Sequence, residues 1–501
     1  MMVSMYKVLF PVSEAYPLIK TGGLADVGGA LSAALQARGC DVRLLLPAYP
    51  NVLDQVASAE PVAEIFVAES DIHLRILESS LPGTDVIVWL IDHPPSYLRP
   101  GDPYHDANGV PWPDNAARFA LLSRVTAMIA LGNTSLNWVP DIVHCHDWQT
   151  ALAPALISLA DVRPVTVFTI HNLAYQGLFD ASTMQELHLP ENFWSPEGME
   201  FYDQLSFVKG GIMYADHITT VSPTYSREIQ TPEFGCGLDE ALRLRSDRLS
   251  GILNGVDYNI WNPATDPFIA SHYDREQFAR KAKNKQDLQR EAEFRVASNI
   301  PLIGQVSRLV HQKGVDLIIA ALHRLIARKV PFQYVVLGNG EPEFENGLAE
   351  LAAQFPKQVF TMFVHDEVHA HQIEAGADMY LMPSRFEPCG LNQLYSLRYG
   401  TVPIVRHVGG LADTVVDASE ENLDAGIATG FVFEDATVDA LVETIERAVR
   451  LFKDRPRWQQ LARNGMVQNF SWDASVDRYL ELYDSLMPTR TWQPSDIVAE
   501  S

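Results

Sequence analysis

Short runs of β-branched and large aliphatic residues recur along the chain at 8–12, 42–46, 86–91, 142–145, 165–170 and 218–221, then at 302–306, 334–337, 359–363, 379–382 and 402–405. Between them, apolar residues return every three or four positions, as in Leu31-Ser32-Ala33-Ala34-Leu35. A strand that is apolar throughout, rather than at alternate positions, is buried on both faces, so this alternation predicts parallel sheets with helices on either side. Near Trp261-Asn262-Pro263 the pattern dissolves into Pro, Asp and Asn, and a charged helical stretch over 275–295 precedes the next strand. The hinge between two α/β domains is therefore expected at 260–270. The N-terminal domain would run over 1–262 and the C-terminal domain over 263–486, with its last helix a candidate to return to the first. Residues 487–501 read as an extended, weakly ordered tail.

One pentapeptide, Gly-Gly-Leu-Ala-Asp, occurs twice, at 22–26 and 409–413, each time after a strand-like run and opening a helix-like one. Glycines at a helix start expose backbone amides that favour an anion. They equally let a helix pack close on a strand. Lys20 just ahead of the first copy directs that one toward phosphate; the second is open between the two readings.

With 501 residues the chain has room for two or three domains at roughly one per ~150 residues. Its 38 Lys and Arg face 63 Asp and Glu, a net charge of -25, which excludes non-specific binding to nucleic acid or to an anionic membrane surface. An anionic ligand must then be met by a local cluster of cations. The four cysteines, Cys40, Cys145, Cys236 and Cys389, form no Cys-x-x-Cys pair and fit reduced thiols in the cytoplasm rather than a disulfide framework or structural zinc. No apolar run approaches the ~18 residues of a membrane helix, and no charged leader followed by an apolar stretch opens the chain. Neither a membrane span nor export is expected.

In open α/β sheets, ligands collect at the carboxyl ends of the strands, so the polar residues after each apolar run carry the chemistry. His144-Cys145-His146-Asp147 follows one run; without a second ligand pair the spacing argues against a metal, and the strand is expected to end here with Asp147 accepting a hydroxyl hydrogen bond. His171-Asn172 ends the next run, open between a structural and a functional histidine. The stretch 365–371, rich in His, lacks the His-Glu-x-x-His order of a zinc helix and reads as a solvated loop and helix start. Arg308 and Lys313 stand five residues apart around a turn, a pair suited to a diphosphate through a bidentate guanidinium and a point charge. Glu387, in Pro383-Ser384-Arg385-Phe386-Glu387-Pro388-Cys389-Gly390-Leu391, is expected to bind a sugar hydroxyl.

Five of these stretches occur together in one order: 20–27, His171 to Gly177, Leu253-Asn254-Gly255-Val256-Asp257, Ser307-Arg308-Leu309 with Gln312-Lys313-Gly314, and Ser384 to Leu391. Together they resemble the family of bacterial glycogen synthases and plant starch synthases, over about 8–486. The resemblance implies a GT-B fold, two Rossmann-like α/β domains facing a central cleft. It further implies a retaining transfer of glucose from ADP-glucose to the non-reducing end of an α-1,4-glucan, glycogen or a maltooligosaccharide, with no metal and no cofactor. Carried over by residue, it places Lys20, Gly22 and Gly23 on the diphosphate, with Arg308 and Lys313 reaching it from the second domain. It sets Glu387, Cys389, Gly390 and Leu391 around the glucosyl hydroxyls and phosphates, and His171, Asn172, Asn254, Asp147 and Tyr104 in the sugar pocket. Where some members have Thr after the Gly-Leu pair, this chain has Asn392, still polar.

The residues agree with that chemistry. Breaking the anomeric bond builds negative charge on the departing nucleotide, and in the absence of an acidic metal-binding motif, cations and helix-start amides must stabilise it. Two other functions are weighed. A glucan-binding or nucleotide-sugar-binding protein on the same scaffold would be marked by loss of Lys20, Arg308, Lys313 or Glu387, and all four are present. A nicotinamide-dependent dehydrogenase would need Gly-x-Gly-x-x-Gly directly after a strand, which the glycine loops here do not supply.

Overall fold

The computed structural model describes residues 5–487, so the expected tail lies, after its first residue, outside the described residues. The chain folds into two compact α/β units. The first takes the chain as far as Thr220, then Ile229–Ile252, then the stretch from Trp472; the second takes Val221–Glu228 and Leu253–Ser471. Trp261-Asn262-Pro263, where the hinge was expected, falls inside the second unit. The helix Trp472–Leu486 belongs to the first.

The first unit is built on a nine-stranded sheet. In spatial order its strands are Leu249–Gly251, His217–Thr220, Val165–Ile170, Ile142–His146, Lys7–Pro11, Asp41–Pro47, Ile87–Asp92, Ile72–Ser80 and Glu60–Val67. All neighbours run parallel except the last two pairings, which are antiparallel. That outer hairpin was not legible as sheet, because in Glu60–Val67 only Ala63, Ile65 and Val67 are buried while exposed Val62 and Phe66 are also apolar, so the letters show neither an unbroken apolar run nor a clean alternation. The central strands, by contrast, are buried almost throughout, as the unbroken apolar runs require. A small antiparallel sheet of Leu178–Asp180, Gln204–Ser206 and Glu200–Phe201 lies beside this core. Its two-residue turn, Tyr202-Asp203, has both residues at positive φ, the backbone that matches hairpin twist.

The strand Ile142–His146 runs one residue past the expected 142–145, so His144 and His146 are strand residues, each 0 % exposed. His144 anchors the last helix: its Nδ1 lies 2.7 Å from the Tyr483 hydroxyl and its Nε2 2.6 Å from Thr169 Oγ1. Burial pushes the imidazole pKa down to about 3, so the ring is neutral and each nitrogen is matched to one hydroxyl. Tyr483→Phe leaves His144 Nδ1 buried without a partner and is expected to lower unfolding stability by ~1–3 kcal/mol, read from the urea midpoint.

The second unit carries a six-stranded parallel sheet in the order Val359–Met362, Gln333–Leu337, Leu302–Val306, Met379–Met382, Val402–Arg406, Phe431–Phe433. Alternate residues enter separate cores: Ile303, Tyr334, Val336, Met379 and Leu381 on one face, Leu302, Val335, Leu337, Tyr380 and Met382 on the other. The covering helix Val438–Phe452 shows why these segments are helical. Thr437 caps its start by accepting from the Ala440 amide, and Leu441, Val442, Ile445, Ala448, Val449 and Phe452 recur on one buried stripe. The 365–371 stretch needs correction. Asp366 does cap a helix over Glu367–Gly376, but His371 is fully buried, stacked 3.8 Å from the Trp261 ring with Nδ1 2.8 Å from Asp266.

Candidate functional site

Each unit gathers its share of the singled-out residues at the carboxyl ends of its parallel strands. In the first, the strand Lys7–Pro11 leads through Ser13 and Glu14 to a loop that enters the helix Gly23–Ala37. Glu14, which sequence reading passed over, organises this corner. Its Oε2 accepts from the Thr21 amide at 2.6 Å, the Thr21 hydroxyl at 2.7 Å and the Gly22 amide at 3.1 Å, while Oε1 accepts from the Tyr104 hydroxyl at 2.7 Å. Tyr104 also lies 2.8 Å from Ser13 Oγ. The Gly22 amide, expected on a diphosphate, is thus engaged by a carboxylate. A Cβ built on Gly22 or Gly23 would meet nothing within 4 Å, so these two glycines leave open ground over the helix start. Lys20 beside them pairs with Asp26 at 2.8 Å with a third of its side chain exposed.

Asp147 follows the next strand with φ 53 and ψ -177, a backbone region that costs a non-glycine residue about 1–3 kcal/mol. Three contacts hold it there: its amide donates to Thr169 O at 2.9 Å, its carbonyl accepts from the Thr150 amide at 3.2 Å, and its Oδ1 accepts from the His171 amide at 2.7 Å. One oxygen of the carboxylate is therefore held by backbone. Desolvation pushes the Asp147 carboxyl up to about 7; the amides of His171 and Asn172 oppose that, and the nearby Glu14 charge adds to it. His171 is half-buried, and its Nε2 lies 3.0 Å from Nδ1 of His146.

In the second unit Lys313 and Glu387 form a pair at 2.6 Å, with side-chain exposures of 19 % and 7 %. Ser384 Oγ donates to the same Glu387 oxygen at 2.9 Å. Glu387, expected to meet a sugar hydroxyl, has its charge matched by a protein cation. The two loops that carry the pair are clamped by Arg385, a residue the sequence reading quoted without a role. Its guanidinium grips Asp316 at 2.8 and 2.7 Å, and its amide donates to Gln312 O at 2.8 Å. Arg308 stands exposed just after the strand Leu302–Val306. Cys389 is buried, its thiol pushed up to about 12 by desolvation, against which the Asn254 amide acts. Gly390 and Leu391 lead into the helix Asn392–Tyr399. Asn392 Nδ2 donates inward, to Val306 O at 3.1 Å and to Tyr380 Oη at 2.6 Å, which explains a polar residue there without any ligand.

The two pentapeptide copies resolve differently. A Cβ on Gly409 would come within 2.0 Å of Glu387 O, and one on Gly410 within 2.0 Å of Cys389 O, so the second copy needs glycine for close packing against the Glu387 loop. The Gly409 amide is also taken, by both carboxylate oxygens of Glu228 at 3.0 and 3.1 Å. Among the described residues, no group of three or more His, Cys, Asp or Glu is placed to hold a metal ion, and no helix is long and apolar enough to cross a membrane.

Two α/β units with cations and buried carboxylates at their strand ends fit a glycosyltransferase of the GT-B class. Residues 7–244 match the starch synthase catalytic domain family and residues 289–465 match glycosyl transferases group 1. The chain is 52 % identical to glycogen synthase 1 of Methylococcus capsulatus over 95 % of this chain and 96 % of that one. It is 50 % identical to glycogen synthase 2 of Nitrosococcus oceani over 96 % and 98 %. Among solved structures it is similar to the catalytic domain of starch synthase IV from Arabidopsis thaliana bound to ADP and acarbose, with TM-score 0.85, 33 % identity, and coverage of 96 % of this chain and 99 % of that one. Sucrose-phosphate synthase from Thermosynechococcus elongatus shares the fold, with TM-score 0.59 and 16 % identity over 96 % and 98 %. The chain belongs to the glycogen synthase family.

Proposed function

We propose that this enzyme transfers glucose, with retention, from ADP-glucose to the non-reducing end of an α-1,4-glucan in the cytoplasm. The observation that carries the donor and acceptor is the similarity, along nearly the whole chain, to a starch synthase whose structure holds ADP and acarbose. A cytoplasmic setting is supported by four cysteines that are all unpaired.

In this reading Lys20 and the open backbone over Gly22 and Gly23 serve the diphosphate, as do the cations Arg308 and Lys313. Their task is to stabilise the charge that builds on the departing nucleotide. Asp147, His171, Asn172, Tyr104 and Asn254 are assigned to the glucosyl group, and Glu387, Cys389, Gly390, Leu391 and Asn392 to the glucosyl hydroxyls and phosphates. Retention is assigned to same-face attack within a tight ion pair. The state of two carboxylates supports that choice: Glu14 accepts four hydrogen bonds and Glu387 pairs with Lys313, so both are muted nucleophiles. Glycogen should lengthen, with release of nucleotide, when the purified protein receives ADP-glucose in the presence of a chelator. Strict dependence on UDP-glucose would overturn the donor, and no transfer from either donor would overturn the reading.

A further inference from the structure

We infer that His146 is a positioning residue for glucosyl transfer: its Nδ1–H donates to His171 Nε2 and so fixes His171 with its own proton on Nδ1, as a hydrogen-bond donor. The two nitrogens lie 3.0 Å apart, so one proton must sit between them; two bare lone pairs would repel. Burial drives the pKa of both rings far down, His171 to about 3, so each imidazole carries a single proton. Only two arrangements remain.

If His171 Nε2 held the shared proton, neutral His146 would carry its own on Nε2. That atom is buried and has no hydrogen-bond partner among the described residues. An orphaned buried N–H is the rarer and costlier fault, whereas an unpaired lone pair is better tolerated. The alternative gives the proton to His146 Nδ1 and leaves only a lone pair at the orphaned nitrogen. Neutral His171, accepting at Nε2, then bears its proton on Nδ1.

His146 is well held for this task. Its ring packs against Phe10, with centroids 4.2 Å apart, and His144, 4.3 Å apart, while those two lie 5.3 Å from each other, so the three rings form one cluster. Its backbone is locked to Thr150, whose hydroxyl accepts from the His146 amide at 2.6 Å and donates to its carbonyl at 2.8 Å. His144 and His146, neighbours on one face of the strand, divide their work. His144 ties down the last helix, and His146 sets the next strand's histidine. The consequence for transfer rests on the placement of His171 in the glucosyl pocket: a fixed donor there pairs with a sugar or phosphate oxygen and disfavours a competing donor.

The tautomer is testable without turnover. In enzyme labelled with 15N-histidine, long-range proton–nitrogen correlations, assigned through the signals lost in His171→Asn, should show His171 protonated on Nδ1; protonation on Nε2 overturns the inference. His146→Phe keeps an aromatic ring in the slot but removes the donor, and kcat should fall roughly 10–100-fold with KM for glycogen unchanged. His146→Asn, whose amide can donate from nearly the same place, should recover most of that loss. Full activity in His146→Phe, or equal impairment of both variants, would mean a packing role only. An inactive wild-type enzyme that still showed the Nδ1 proton would sink the functional reading and leave the tautomer standing.

Discussion

Lys313→Ala should lose a factor of about 10²–10³ in kcat/KM and should also melt early. The first loss follows from the proposed action of this cation on the leaving nucleotide, about 2.7–4 kcal/mol by analogy with removing one preorganised charge-stabilising group. The second comes from the partner left behind. Glu387 sits with 7 % of its side chain exposed and Lys313 at 2.6 Å, so truncating the lysine strands a carboxylate that keeps, among the described residues, the Ser384 hydroxyl to match it. Breaking a fully buried pair costs ~3–5 kcal/mol; with Lys313 about a fifth exposed, the lower end is expected. The two effects separate in the double variant Lys313→Met with Glu387→Leu. Stability, followed by urea unfolding, should recover because no charge is stranded, while activity stays lost. A Lys313→Ala enzyme with wild-type kcat/KM per folded molecule would remove this lysine from catalysis.

Lys20→Ala should lose ~2–4 kcal/mol of transition-state stabilisation with almost no change in folding stability. The asymmetry follows from the surroundings. Lys20 pairs with Asp26, but their side chains are 34 % and 24 % exposed, and such a surface pair is worth only ~0.2–1 kcal/mol. Its value lies in standing beside Gly22 and Gly23, where nothing fills the space a Cβ would occupy. Turnover per active site and a thermal melt on the same preparation check both halves. Unchanged turnover would take Lys20 out of the mechanism; a large fall in melting temperature would make it a structural residue.

The strands of both sheets were legible because burial on two faces demands unbroken apolar runs; 165–170, 302–306 and 379–382 are found at the expected bounds. The outer hairpin was not, since half its positions face water and two of those, Val62 and Phe66, are apolar, which blurs the alternation. Where a residue would sit was easier to read than what it would touch. Arg308, Lys313, His171 and Glu387 all stand at strand ends as the pattern implies, yet nothing in sequence shows that Lys313 pairs with Glu387 across 74 positions, or that Tyr483 meets His144 across 339. Glu14 and Glu228 escaped notice for the same reason: a single glutamate has no periodicity, and its role depends on a glycine amide that folding brings to it. The repeated pentapeptide shows the limit most sharply. Identical letters give open glycines in one copy and glycines packed against carbonyls in the other, because the difference lies in their neighbours.

The route of the chain also sets a timetable for its assembly. The helix Trp472–Leu486 completes the first unit, holding His144 through Tyr483 and meeting Tyr6 through Asp484. It is translated only after the whole stretch Leu253–Ser471 that builds the other unit. Roughly 200 residues at ~5–20 residues per second leave the face over His144 uncovered for about 10–40 s on the ribosome. The half of the protein that is translated first is thus finished last.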